Sequence, residues 1–126
     1  MACNSKTITL LWTTLYGDAT ASFLPCTPWM RTTDVKNARF TFEVRGLKAG
    51  LKVTAKFQTA NVENSPTTST VLLSAEKTAD GYYYGDWEDL TSALDGVQLI
   101  RFGLETITTS GTGFARASGR IEVRDS

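Results

Sequence analysis

The sequence predicts an all-β protein, an antiparallel β-sandwich, jelly-roll-like, with about eight strands and one short helix near 89–95. Three observations carry that prediction. Apolar and polar residues alternate at period two through most of Lys6–Arg124, the signature of half-buried strands. Short Gly-, Asp- and Ser-bearing segments separate the alternating runs. Threonine occurs 20 times, as suits strand positions that face water. Eight strands with a long early loop favour a jelly roll over an immunoglobulin-like sandwich, whose Cys…Trp…Cys spacing is absent.

The elements follow in order. Lys6–Trp12 places Ile8, Leu10 and Trp12 on one face, and Trp12 is expected in the core as the continuation of that row. Tyr16-Gly17-Asp18 turns the chain, and Ala19–Phe23 forms a short second strand. Pro25 and Pro28 each lack a donor and constrain their neighbours, so Leu24–Thr33 reads as a long loop or edge segment carrying Trp29, Met30 and Arg31. In Ala38–Arg45, Phe40, Phe42 and Val44 oppose Arg39, Thr41, Glu43 and Arg45. Leu51, Val53, Ala55 and Phe57 rebuild an apolar face opposite Lys52, Thr54, Lys56 and Gln58. The glycine-bracketed link from Gly46 to Gly50 predicts that these two strands form a hairpin.

Asn61–Ser69 is polar, contains Pro66 and reads as a loop. Val71–Ala75 is a short strand, and Asp80-Gly81 is a hairpin signal leading into Tyr82–Trp87. Asp89–Gly96 joins a capping residue, helix-tolerant residues and a closing glycine, which makes it the short helix. Val97–Thr109 is expected to be the longest strand, with Ile100, Phe102 and Leu104 inward. Ile107 falls out of phase, which predicts a bulge near Glu105-Thr106. Ser110–Gly113 turns into the last strand, where Ala115, Ala117, Gly119, Ile121 and Val123 share a face.

Length and composition predict one domain over 1–126, with residues 1–5 a flexible N-terminus. Thirteen basic residues balance thirteen acidic ones, so no global field advertises nucleic acid or an anionic membrane. Net charge near zero gives weak colloidal repulsion, which suits a protein held in an assembly. No run reaches the ~18 apolar residues of a membrane helix. Met1–Lys6 has no basic start followed by an apolar run, so no secretory signal is expected, and synthesis in the cytoplasm is the simplest expectation. Cys3 and Cys26 read as reduced thiols, with a disulfide between the terminus and the Phe23–Trp29 segment as the alternative.

Without histidine, Ser-His-Asp and Cys-His catalysis and the commonest metal centres are excluded. No serine sits in a G-x-S-x-G turn, and Gly111–Gly119 lacks the Gly-Lys-Ser/Thr of a phosphate loop. Asp86, Glu88 and Asp89 lie beside Tyr82, Tyr83, Tyr84 and Trp87. Two carboxyls across a groove would suit a glycosidase, and three with loop carbonyls would begin a calcium site. The favoured reading is structural, with Asp89 capping the helix. No catalytic residue, cofactor or metal is expected.

The remaining candidates are partner-binding surfaces. Trp29, Met30 and Arg31 sit on the Pro-flanked loop, where Trp29 either packs under the loop or anchors a partner. Tyr82 and Tyr84 oppose Tyr83, so the run exposes at least one ring, and Tyr83 is the partner-binding candidate. The polar face of the last strand carries Arg116, Ser118, Arg120, Glu122 and Arg124, and Arg101 with Glu105 lies on that of the strand before it. If these two strands pair, Arg101, Arg116, Arg120 and Arg124 share one face. That face suits cross-strand ion pairs, or docking onto an acidic protein, better than nucleic acid.

The chain resembles the small jelly-roll proteins that tailed bacteriophages carry on their capsids as decoration, cement or stapling proteins. The likeness rests on its length, one Thr-rich sandwich without a catalytic set, and Gly85–Gly96 feeding the strand Val97–Leu104. The resemblance implies a non-catalytic virion structural protein on the capsid exterior, made in the host cytoplasm. Its implied partner is the major capsid protein, bound as a homodimer or homotrimer, with no nucleic acid or membrane involved. The alternative is a carbohydrate-binding β-sandwich module, suggested by the Tyr82–Trp87 aromatics and adjacent carboxylates.

Overall fold

A computed structural model describes residues 5–61, 69–109 and 111–125. Among these residues the alternating runs become ten strands: β1 (Ser5–Gly17), β2 (Ser22–Pro25), β3 (Met30–Arg31), β4 (Asn37–Arg45), β5 (Leu51–Ala60), β6 (Ser69–Lys77), β7 (Gly81–Tyr83), β8 (Glu88–Asp89), β9 (Leu99–Thr108) and β10 (Gly113–Arg124). One sheet runs β1-β10-β4-β7, with β8 also on β4; the other runs β2-β9-β5-β6, with β3 also on β9. All pairings are antiparallel. With β3 and β8 as fragments, the eight main strands pair first with last, second with seventh, third with sixth and fourth with fifth. A long hairpin wound on itself pairs in this way, and the result is the jelly roll.

The inner faces carry the expected residues. Phe40, Phe42 and Val44 on β4 and Ala115, Ala117, Ile121 and Val123 on β10 face Leu51, Val53, Ala55 and Phe57 on β5 and Ile100, Phe102 and Leu104 on β9. Phe57 and Phe102 lie 6.1 Å apart, and Phe40 meets Phe42 edge-on at 5.5 Å. Gly119, directly between Leu10 and Phe42, has no room for a side chain: a Cβ there would overlap the Thr41 carbonyl oxygen and the Phe42 backbone. The long early loop is pinned to β9. Phe102 O accepts from Cys26 N–H at 2.8 Å, and Thr27 Oγ1 accepts from Phe102 N–H at 3.0 Å.

Five local expectations need correction. First, β4 and β5 have the predicted faces but lie in opposite sheets, so Gly46–Gly50 is an arch over the sandwich rather than a hairpin turn. Gly46 (φ 66°) and Gly50 (φ 89°) supply its left-handed corners. The Asp80-Gly81 turn is likewise an arch, from β6 to β7, and the Asp80 carboxylate accepts from Gly46 N–H (3.1 Å) and Leu47 N–H (2.8 Å), tying the two arches together. Second, β9 and β10 also belong to different sheets, so Arg101 does not share a face with Arg116, Arg120 and Arg124.

Third, Trp12 leaves the core. The β1–β10 register shifts between Leu10 and Thr13, and this bulge turns both Leu11 and Trp12 outward before Leu15 resumes the inner row. Fourth, β9 holds a continuous register with β5 through Thr108, so there is no bulge near Glu105-Thr106. Thr106 and Thr108 take the inward positions instead, and Thr106 Oγ1 donates to Tyr16 O at 2.8 Å. β1, at 13 residues, is longer than β9. Fifth, 89–95 forms no regular helix. Leu94 N–H donates to Leu90 O at 2.9 Å and Gly96 (φ 75°) ends a single turn, while Thr91 N–H donates to Asp89 Oδ1 as the capping reading anticipates. Residues 1–4, with Cys3, and most of the Asn61–Ser69 loop lie outside the described residues.

Candidate functional site

The largest concentration of unusual chemistry lies on the outer face of the β1-β10-β4-β7 sheet. Alternation on β4 turns Arg39, Thr41, Glu43 and Arg45 outward, and on β10 Arg116, Ser118, Arg120, Glu122 and Arg124. The antiparallel register sets Arg116 opposite Arg45, Ser118 opposite Glu43, Arg120 opposite Thr41 and Glu122 opposite Arg39. These two strands therefore present five arginines and two glutamates, an excess of three positive charges on a chain whose net charge is zero.

The two glutamates organise one part of this face. Glu122 takes a bidentate pair from Arg39, with Nε and Nη2 both at 3.0 Å, and a third bond from Arg120 Nε at 3.2 Å. Arg39 first, then Arg120, holds the Glu122 carboxyl below the usual carboxylate range, and the same pairing raises Arg39. Glu43 accepts from Arg45 Nε at 2.7 Å and from the Tyr82 hydroxyl, whose pKa rises as a result.

Aromatic rings organise the rest. Trp87 lies under two guanidiniums, Arg124 at 4.1 Å and Arg39 at 4.7 Å from its ring centroid. Trp12, brought out by the bulge, lies under Arg116 at 5.5 Å and Arg45 at 5.7 Å. Such contacts hold the guanidiniums in place and keep their donors spread over the surface. Trp12 is 43% exposed, Leu11 79%, and the edge-on pair Tyr16–Phe114 at 5.2 Å is exposed on the same sheet.

The sequence-predicted residues separate into three places. Arg116, Arg120 and Arg124 belong to this face. Arg101 lies on the opposite sheet, its Nε donating to Gln58 Oε1 at 2.8 Å and its guanidinium 4.4 Å over Trp29. Trp29 and Met30 are half-buried and Arg31 is exposed; together with Lys6, Asp34 and Asp125 they border a groove of about 700 Å³ at one end of the sandwich. Tyr83 packs inward, stacked 5.7 Å from Phe42, whereas Tyr82 and Tyr84 are the exposed rings and stack on each other at 5.5 Å. Sequence reasoning missed Trp12, Trp87, Arg39 and Arg45 as members of the site. Arg39 and Arg45 were visible as outward residues of β4, but nothing in the sequence paired that strand with β10.

Among the described residues no three Cys, Asp or Glu side chains converge on a metal position. Asp89 is engaged at the Leu90–Gly96 turn, which keeps its carboxyl below the usual range. Cys26 is a free thiol whose burial pushes its pKa up to about 11, so it is a poor nucleophile. The guanidiniums and indoles of this face have the chemistry that suits an acidic or amphipathic surface.

No protein-family model matches the chain, and no curated protein sequence matches it. Solved structures do. Infectious bursal disease virus, Gx strain, superposes with a TM-score of 0.66 at 14% identity, over 98% of this chain and 32% of that one. The VP2 subviral particle of the same virus gives 0.61 at 12% identity, over 97% and 32%. T=1 particles derived from the virus give 0.66 at 12% identity, over 97% and 31%. The chain spans about a third of the length of these proteins. At such identities the likeness establishes the fold.

Proposed function

We propose that the chain is a non-catalytic virion structural protein that docks on a capsid shell as a decoration or cement protein, using the outer face of the β1-β10-β4-β7 sheet. The observation that carries this reading is the superposition of almost the whole chain on a jelly roll of virus-particle proteins. A rigid sandwich loses little entropy on docking, so a modest patch of aromatic and arginine anchors suffices for stable capture. The proposed partner is the major capsid protein, engaged by a homodimer or homotrimer on the outside of the particle.

A carbohydrate-binding module is the weaker alternative. Sugar platforms need bare ring faces, and here each tryptophan carries a guanidinium over its ring. Co-sedimentation with purified heads of the cognate virus tests the proposal. Saturable capture at a fixed ratio to the major capsid protein is expected. A chain that stays monomeric at high concentration and remains in the supernatant overturns it, and retardation by a polysaccharide in affinity electrophoresis would favour the alternative.

A further inference from the structure

Two features of the docking face are costly in the isolated chain. Arg45 and Arg116 stand directly opposite each other on neighbouring strands, an arrangement that destabilises a sheet. The bulge in β1 also carries an indole out of the core row and sets it, half exposed, under those two guanidiniums. Glu43 neutralises Arg45, but among the described residues Arg116 has no carboxylate partner. Trp12, Glu43, Arg45 and Arg116 enclose a surface hollow of about 400 Å³. Violations of local rules without an internal return are expected where a fold meets a ligand.

We propose that this hollow is an anchor subsite for a carboxylate side chain, aspartate or glutamate, on an acidic protein partner. A carboxylate placed between the two guanidiniums completes the charge balance that Arg116 lacks. Leu11, next to Trp12 on β1, and Phe114, two residues before Arg116 on β10, are exposed and can meet apolar neighbours of the acidic residue. The rings favour protein over nucleic acid: the guanidiniums occupy the indole faces that bases would stack on. The inference deepens the docking reading of the same face and rests on it for the identity of that face as a protein-binding one.

The test uses the intact chain with poly-L-glutamate and, separately, a double-stranded DNA oligonucleotide. Binding is followed by the Trp12 indole N–H and arginine Nε–H signals in NMR. Poly-L-glutamate is expected to shift Trp12, Arg45 and Arg116 saturably. Arg116→Glu should weaken binding by at least roughly tenfold, the scale of one lost hydrogen-bonded charge contact, with Arg116→Lys intermediate. Arg120→Glu, on the same face but outside the hollow, should weaken it far less. Equal losses in the two reversals, shifts spread evenly over the surface, or tighter binding of DNA would overturn the subsite. Retained capture on virus heads by Arg116→Glu would sink the anchor while leaving the virion reading intact; absence of capture by the unaltered chain, with poly-L-glutamate still bound at Trp12, would do the reverse.

Discussion

Replacing Phe102 by alanine removes a large, fully buried ring from the core between the two sheets. Its side chain is fully buried, 6.1 Å from Phe57, and every backbone bond that pins the early loop to Phe102 survives the substitution. The loss is therefore packing alone. A buried Phe→Ala change costs about 3–5 kcal/mol, the transfer loss plus the cavity left between stiff strands. Unfolding entropy of about 2.1 cal/mol/K per residue gives this 126-residue chain roughly 0.26 kcal/mol/K, so Tm should fall by about 11–19 °C. Tyr84→Ala is the matched surface control: that ring is 75% exposed, and a cost within about 0.5 kcal/mol moves Tm by roughly 2 °C. Thermal melts by far-UV circular dichroism, with urea titrations at unchanged slope, measure both. A Phe102→Ala shift no larger than that of Tyr84→Ala would refute the placement of β9 across the core from β4 and β10.

Three further outcomes follow from the structure. Arg39 and Arg120 depress the Glu122 carboxyl, so their stabilisation is complete above the unfolded carboxylate pKa of about 4.3 and is lost as pH falls through the lower folded value; Glu122→Gln should flatten that part of the stability–pH curve, and an unchanged acid limb would count against the pairing. Gly119→Ala forces a Cβ into the Thr41 carbonyl and should destabilise by about 1–3 kcal/mol in denaturant titration, against the small gain that Gly→Ala brings at an open strand site. In a Cys3→Ser background, Cys26, with its pKa near 11, should have about one thiol in a thousand ionised at pH 8 and react with iodoacetamide far more slowly than a free cysteine; labelling at the free-thiol rate would mean that Cys26 is not held in the β2–β9 corner.

The faces of the strands were legible in the sequence, and their partners were not. Period two states which side of a strand is wet, and it placed the inward residues Phe40, Phe42, Val44, Leu51, Val53, Ala55 and Phe57, and Ala115, Ala117, Ile121 and Val123. It says nothing about which strand lies alongside. Gly46–Gly50 and Asp80-Gly81 are as short as hairpin turns, yet each crosses from one sheet to the other, because a jelly roll joins its sequential strands by arches. The arginine-bearing face was hidden for that reason: its arginines come from β4 and β10, strands separated by 67 residues from Arg45 to Gly113. One error carried its own warning. Ile8 and Leu10 occupy even positions and the buried Leu15 an odd one, so a change of parity within Leu11–Thr14 required a bulge, and the bulge brings Trp12 to the surface. Ile107 misled in the opposite sense. Threonines can occupy inward positions when their hydroxyls find acceptors, as Thr106 does at Tyr16.

Cryo-electron microscopy of the cognate virus particle tests the central claim most directly. Jelly-roll density is expected on the outside of the shell, with the face bearing Trp12, Arg45 and Arg116 turned toward the capsid subunits. Particles that lack this density, or that hold it through the opposite β2-β9-β5-β6 face, would overturn the proposed docking.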